Sequence, residues 1–433
     1  MHDARLLRER PEALRAALER RGATSALASL AQLESLDADW RRLIASVEEL
    51  KAQRNQLTAN YTALVKQRGD AEMLARTAKE LARIAEESGT LGARIVDIDA
   101  RASEAKRARD DLLLQIPNIT LADVPAGGEE ANTVIREWGT PRPSDGLKPH
   151  WDIGTKLGLI DFEAGAKVTG SGFIVFRGLG ARLVRSLINW MITLQTSEHG
   201  YDETWVPYVV NRASMTGTGQ LPKFEDDLYR IESDDLFLIP TAEVPITNLF
   251  RDEILDGAKL PMGLVGYTPC FRREAGAAGK DTRGLLRVHE FDKVELVRIC
   301  APEDSPAQHE LLTTHAERVL QRLGLPYRVV LLAAGDTGFA SAKTYDLEVW
   351  APGVGKWLEV SSCSTFTDFQ ARRANIRYRA AGGKKPEFVH TLNGSGLGFP
   401  RTIATLLEHY QQPDGSVVVP EVLRPYLGAD RIG

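Results

Sequence analysis

Two stretches of heptad spacing constrain this chain more than any other feature. From Trp40 the positions Trp40, Leu43, Val47, Leu50, Leu57, Tyr61 and Leu64 advance by 3 and 4, with Arg54 in the one remaining slot. This is the seam of a coiled coil. The pattern breaks at Gly69-Asp70 and resumes as Leu74, Thr77, Leu81, Ile84, Ser88, Leu91, Ile95, Ile98, Ala102, Ala105, Arg109, Leu112 and Ile116. Neither stripe can be buried alone, so the two are expected to fold back as an antiparallel helical hairpin. At 1.5 Å per residue, some 40 residues span roughly 60 Å, longer than a compact body allows. The seam contains Thr, Ser, Ala and Arg, and Gly89 and Gly92 each cost about 1 kcal/mol inside a helix. A loosely packed arm, bent near Gly89, is the expectation. Between Arg41 and Gln115 there are 14 basic and 12 acidic residues. Periodicity alone leaves open a solvated coiled coil that acts only as a spacer or dimer element.

Residues 1–22 read as one short amphipathic helix closed by Gly22. After the arm, Ile116-Pro117-Asn118 stops the helix, because proline blocks its continuation. The Pro- and Gly-rich residues 117–150 read as a linker and the start of a core, leaving 1–116 as a helical domain and 151–433 as the body. In the body, Ala181–His199 and Ser305–Leu323 have helical period. The runs Glu203–Val210, Leu236–Ile239, Leu264–Phe271, Lys293–Ile299, Arg328–Leu332, Tyr345–Trp350 and Lys356–Val360 read as strands. Strands in runs with irregularly placed helices imply an α+β fold on an antiparallel sheet.

A chain of 433 residues with 43% hydrophobic residues can bury a large core, which excludes disorder for most of it. The formal net charge of −5 argues against a generally basic nucleic-acid binder, though not against a local basic surface. Cys270, Cys300 and Cys363 lie far apart with no CxxC pair, which disfavours a disulfide framework or zinc knuckle and suits a reducing cytoplasm. The opening MHDARLLRERPEALRAALERRG lacks the apolar core of a signal peptide, and no apolar run approaches the ~20 residues of a membrane span. There is no GxxxxGK[ST] loop. Gly394-Ser395-Gly396-Leu397-Gly398 lacks the βαβ context of a dinucleotide site, and His289-Glu290 lacks the second His of HExxH.

The stretch from Cys270-Phe271-Arg272-Arg273-Glu274 to Arg287-Val288-His289-Glu290-Phe291-Asp292-Lys293-Val294-Glu295 puts arginines at the end of one apolar run and an aromatic and a carboxylate in the next. A strand–loop–strand would point Arg272 and Glu274 to one face. Arg272 could then hold an anion bidentately while Glu274 accepts from an amine. On spacing alone, a hairpin with surface salt bridges fits as well.

Together with that stretch, Thr241-Ala242-Glu243-Val244-Pro245-Ile246-Thr247-Asn248, Glu359-Val360-Ser361-Ser362-Cys363-Ser364, Phe369-Gln370-Ala371-Arg372-Arg373 and His390-Thr391-Leu392-Asn393-Gly394-Ser395-Gly396 carry a resemblance. From Leu6 to Leu427 the chain resembles the bacterial-type seryl-tRNA synthetases, a class II aminoacyl-tRNA synthetase family. The resemblance implies the class II antiparallel sheet with flanking helices, preceded by the long helical hairpin as a tRNA-binding domain. It implies that Arg272, in motif 2, grips the α-phosphate, where a planar fork suits developing charge better than lysine. Glu274 would recognise the adenine amino group and Phe291 would stack on the base. Glu359 and Ser362 resemble the family's Mg²⁺ ligands, hard oxygens for a hard cation. Arg401, in motif 3, would hold the γ-phosphate, so that Arg272 and Arg401 are the implied catalytic pair. Arg273, Val360 and Ser361 complete the implied ATP site. Thr241, Ala242, Glu243, Arg272, Glu295 and Ser395 would bind serine; taken alone, Thr241 and Ser395 read as turn or strand-end hydroxyls. Unpaired buried acceptors would penalise alanine or glycine, and tight walls would exclude threonine. Arg372, Arg373, Arg377 and Arg379 read as structural ion pairs rather than tRNA contacts. Phe399-Pro400 stands before Arg401 where the family commonly has glycine, which leaves the presentation of Arg401 open.

The resemblance also implies a cytoplasmic homodimer, with Ala181–His199 as motif 1 and Pro207 at the interface, and no membrane partner. Its substrates would be ATP, L-serine and tRNA(Ser), with tRNA(Sec) added where an organism has one. Two other readings remain at this stage: a synthetase-like ligase that loads a non-tRNA carrier, and an inactive binding homologue. The intact seams weigh against the first, and Arg272, Glu274, Glu359 and Arg401 together weigh against the second.

Overall fold

The computed structural model describes residues 1–66, 71–275 and 282–433, in two compact units. One comprises Asp3–Ala16 and Thr24–Ile116; the other comprises Met1–His2, Ala17–Ala23 and Pro117–Gly433.

The first unit is dominated by two long helices, α1 (Thr24–Val65) and α2 (Ala71–Leu113), packed against each other. Val47 and Leu50 of α1 cluster with Leu91 and Ile95 of α2, flanked by Leu57 and Ile98. All of these are seam positions. Arg109, a weak seam residue by composition, is buried: its guanidinium donates to the buried carboxylate of Asp37 at 3.1 Å and lies 4.5 Å from the Trp40 ring centre. A paired charge thus fills a slot that an aliphatic side chain would ordinarily occupy. Helix α2 runs through Gly89 and Gly92 without interruption. The expected break at Gly69-Asp70 lies outside the described residues. The single helix expected over 1–22 is instead two, Leu6–Glu9 and Pro11–Arg20, because Pro11 restricts Arg10 and forces a new start.

The second unit is built on an eight-stranded sheet. Its strands are β1 (Thr133–Trp138), β2 (Asp202–Glu203), β3 (Met262–Phe271), β4 (Glu290–Cys300), β5 (Tyr327–Leu331), β6 (Lys343–Ala351), β7 (Lys356–Thr367) and β8 (His390–Gly398), in the order β1-β5-β6-β7-β8-β4-β3-β2. All neighbours are antiparallel except β2 and β3. Five helices matter for the site: α3 (Leu179–Ser197), α4 (Glu243–Asn248), α5 (Ser305–Leu323), α6 (Phe369–Ala374) and α7 (Phe399–Tyr410). Helices α3, α5 and α7 bury their apolar stripes in the main core with the central strands, as amphipathic spacing requires.

Three features depart from the sequence expectation. The run Glu203–Val210 is not one strand: β2 ends at Glu203 and a separate strand starts at Val209. Within the Pro/Gly-rich residues 117–150, Thr133–Trp138 forms the edge strand β1. The glycine-spaced stretch around Gly394 is the central strand β8, packed so closely that a Cβ at Gly394 would lie 2.4 Å from Leu312 and 2.9 Å from Cys363. Glycine there serves close helix–strand packing instead of strand propensity. The three cysteines are buried and free. Among the described residues, no helix is long and apolar enough to cross a membrane.

Candidate active site

A cavity of about 460 Å³ opens over the middle of the sheet, walled by β4, β7, β8, the segment after β3 and the start of α7. Ten of the residues expected at the site line it: Thr241, Glu243, Arg272, Glu274, Phe291, Glu359, Val360, Ser362, Ser395 and Arg401. Four do not. Ala242 is wholly buried in an apolar cluster and Glu295 lies beneath the floor. Ser361 is buried, donating to the Ser395 carbonyl at 2.6 Å. Arg273 is exposed, and its backbone N–H donates to the Asp227 carbonyl.

Two irregularities in the sheet create this face. In β7, Leu347 opposes Ser361 while Glu348 opposes Glu359, so Val360 is an extra residue. In β8, Val294 opposes Leu397 while Glu295 opposes Ser395, so Gly396 is extra. Residues three apart in a regular strand point to opposite faces. An inserted residue restores a shared face, which is how Glu359 and Ser362, and likewise Ser395 and Gly398, line one cavity.

Arg272 and Glu274 also reach the cavity by a route other than strand alternation, since β3 ends at Phe271. The Arg272 N–H donates to the His289 carbonyl, and its guanidinium lies 5.1 Å from the Phe291 ring centre. Glu274 has φ of +54°, and Arg287 holds its carboxylate. Arg401, the third residue of α7, donates to the Glu359 carboxylate at 3.0 Å and to the carbonyls of Glu359 and Leu286. Proline at position 400 sits in the first turn, where its missing N–H has no partner to lose, and Arg401 is still presented to the cavity. Burial pushes the Glu359 carboxyl upward, but Arg401 and Arg272 outweigh that and hold it below its ordinary range. Asp346, opposite Ser362 on β6, shows the reverse: burial and then Glu359 push its carboxyl well up.

At the other end the chemistry is that of a small zwitterion. Glu243 and Glu295 are buried and linked by Asn393, whose amide nitrogen lies 3.1 Å from one and 2.8 Å from the other. Lys293 pairs with Glu295 and donates to Thr241 at 2.9 Å. Two carboxylates against one ammonium leave room for one more cation. Burial first, and Glu295 second, raise the Glu243 carboxyl to about 7. Gln370 on α6 steadies it: its amide nitrogen donates to Glu243 at 2.5 Å and to the Thr218 carbonyl at 3.1 Å. Because a carbonyl can only accept, that contact fixes which way the amide faces.

Sequence reasoning missed Lys293, Asn393, Gln370, Arg287 and Val288. A signal was available for two of them: Lys293 and Asn393 each stand two residues before an expected site residue, Glu295 and Ser395, on a strand where such residues share a face. Gln370 acts only through a long-range contact and carried no local signal. Arg372 and Arg373 are on helix α6, not the sheet; Arg372 donates to Asp368 at 2.7 Å, and Arg373 to the carbonyls of Thr216 and Leu221.

Comparison with known proteins agrees with this geometry. Residues 223–410 match the tRNA synthetase class II core domain (G, H, P, S and T), so the sheet and its cavity are those of a class II synthetase. Residues 1–120 match the seryl-tRNA synthetase N-terminal domain. A serine--tRNA ligase of Gemmatimonas aurantiaca is 60% identical over 430 residues, 99% of each chain, and one of Geobacillus kaustophilus is 54% identical over the same share. The crystal structure of seryl-tRNA synthetase from Pyrococcus horikoshii complexed with ATP superposes with a TM-score of 0.89 at 37% identity, covering 100% of this chain and 99% of that one. The chain belongs to the seryl-tRNA synthetase family.

Proposed function

We propose that the protein is an ATP-dependent serine--tRNA ligase of the cytoplasm, active as a homodimer on tRNA(Ser), and on tRNA(Sec) where the organism has one. The serine carboxylate oxygen attacks the α-phosphorus of ATP in line and the bond to pyrophosphate breaks, giving seryl-adenylate. A terminal ribose hydroxyl of tRNA then attacks the activated carbonyl, its proton is lost, and AMP leaves. Positioning and charge stabilisation suffice, with no protein nucleophile. Arg272 faces the α-phosphate, Arg401 the γ-phosphate, and Glu274 and Phe291 the adenine. Thr241, Glu243, Glu295 and Ser395, with Lys293 and Asn393, measure the amino acid. The observation that carries this reading is the buried pair Glu243/Glu295 with its single lysine, next to Arg272. Buried acceptors suit an ammonium and a hydroxyl and leave an unpaired group when the hydroxyl is missing.

The acidic groups fit Mg²⁺. Asp346 Oδ1 is buried without a hydrogen-bond partner, and Asp346 and Glu359 repel each other across the strand pair. With Ser362 they offer hard oxygens, and among the described residues no larger acidic or histidine cluster competes. Mg²⁺ bound with ATP would neutralise phosphate charge there. Because Arg401 pairs with Glu359, a triphosphate would compete for Arg401 and release Glu359. The exposed Trp205, 75% accessible beside Pro207, supports a subunit contact at the motif 1 end. The free, buried cysteines support a reducing compartment.

Exchange of pyrophosphate into ATP with each amino acid, followed by charging of total tRNA, tests the whole reading. Serine alone should drive exchange and then be charged. Exchange without charging would mean another carrier, and no exchange would mean an inactive homologue. Two finer outcomes follow. Glu243 must be ionised to pair the serine ammonium, so kcat/KM for serine should rise with pH through about 7 and level off above it, and Glu243→Gln should abolish that limb. The carboxyl lies above its ordinary 4.5, so the stability it contributes in the free protein is full below that value and is lost as pH rises to about 7. Gln370→Leu removes a hydrogen bond to a charged group, about 1.5–3 kcal/mol, so KM for serine should rise roughly 10- to 100-fold while KM for ATP stays unchanged.

A further inference from the structure

A second cavity, of about 570 Å³, opens off the first. The two share Thr241, Glu243, Arg272, Glu274, Arg287 and Ser341. The remaining wall has a different character. Phe224 is 38% exposed and meets Phe339 edge-on, with ring centres 6.0 Å apart at 89°. Phe339 meets the buried Phe369 in the same way, and Arg373 lies over both of these rings from behind. Gln220 also lines this wall; its amide oxygen accepts from the Thr218 hydroxyl at 2.5 Å, which leaves its NH₂ as the group offered to a ligand. Lys223 is exposed next to Phe224, and Asp227 on the same wall is engaged by the Ala275 backbone N–H at 2.9 Å.

On the reading proposed above, serine and ATP occupy the first cavity and leave this one unused. The second step of that reaction needs a ribose hydroxyl to reach the seryl carbonyl, and the second cavity joins the first along Thr241, Glu243 and Arg272, at the serine end. A rigid aromatic face suits a flat base, an amide donor suits a sugar hydroxyl, and a lysine suits a phosphate. We propose that this cavity is the subsite for the 3′-terminal nucleoside of the tRNA, with its base stacked on Phe224. The inference rests on the serine--tRNA ligase reading and adds a partner contact that the first step does not use.

The test compares the full-length parent protein with Phe224→Ala and Phe224→Trp, using a tRNA(Ser) transcript and the same transcript lacking its terminal nucleotide. Serine-dependent pyrophosphate exchange should stay within 2-fold in both variants. Single-turnover transfer from preformed seryl-adenylate should slow at least about 10-fold in Phe224→Ala and recover in Phe224→Trp, as stacking at one base predicts. The binding advantage of the complete over the shortened transcript should vanish in Phe224→Ala. Transfer at the parental rate in Phe224→Ala, or exchange falling as far as transfer, overturns the subsite. If the parent protein itself shows no serine-dependent exchange, it is the ligase reading that fails; if the parent exchanges and charges while Phe224→Ala matches it, only the subsite fails.

Discussion

Arg272→Ala should lower serine-dependent pyrophosphate exchange by about 10³-fold or more, the scale of losing a preorganised cation at a reacting phosphoryl group. Arg272 follows β3 directly, and its backbone is tied to His289 across the mouth of the hairpin, so the guanidinium emerges from a fixed base. Its Nε reaches the Pro240 carbonyl at 3.4 Å and its plane lies near the Phe291 ring, which limits its rotation. Arg272→Lys should recover little, because one ammonium cannot span two oxygens. Because the side chain is at the cavity surface, folding should survive: an unchanged melting temperature and circular dichroism spectrum would assign the loss to chemistry. Exchange within 10-fold of the parent would remove Arg272 from the phosphate site.

Shortening the hairpin should divide the two half-reactions. Joining residue 44 to residue 102 through a short turn removes the outer arm but keeps Trp40, the Asp37–Arg109 pair and the buried Ala102. Exchange should remain within about 3-fold, because every residue assigned to serine and ATP lies in the other unit. Charging of tRNA(Ser) should fall at least 100-fold, because recognition by shape needs the extended backbone contacts that a long helical pair can make. Charging at the parental rate would reduce the arm to a spacer.

Much of this was legible from residue order. The heptad steps named the faces that meet: apart from Leu74 and Tyr61, the seam positions are buried or half-buried, down to Arg109. The motif segments named most of the cavity wall. Three things were hidden, each for a physical reason. The insertions at Val360 and Gly396 are properties of strand register, which depends on the partner strand and cannot be read along one chain. Strand β8 was obscured because its glycines answer to Leu312 and Cys363 across the packing, against local propensity. Ala242 and Ser361 sit within motifs whose neighbours touch the cavity, yet face the interior; a motif specifies a stretch of chain, not the direction of each side chain.

The arm is not uniform along its length. Val47, Leu50, Leu91 and Ile95 are shut away from water, while Tyr61, Val65, Met73 and Leu74, farther along the pair, are 40–57% accessible. Apolar surface that is already wet contributes little cohesion. The outermost turns can therefore splay or re-pair around an RNA of variable contour at small energetic penalty, while the turns anchored by Asp37 and Arg109 keep their geometry. A recognition element graded in this way yields where its ligands differ and stays stiff where they are alike.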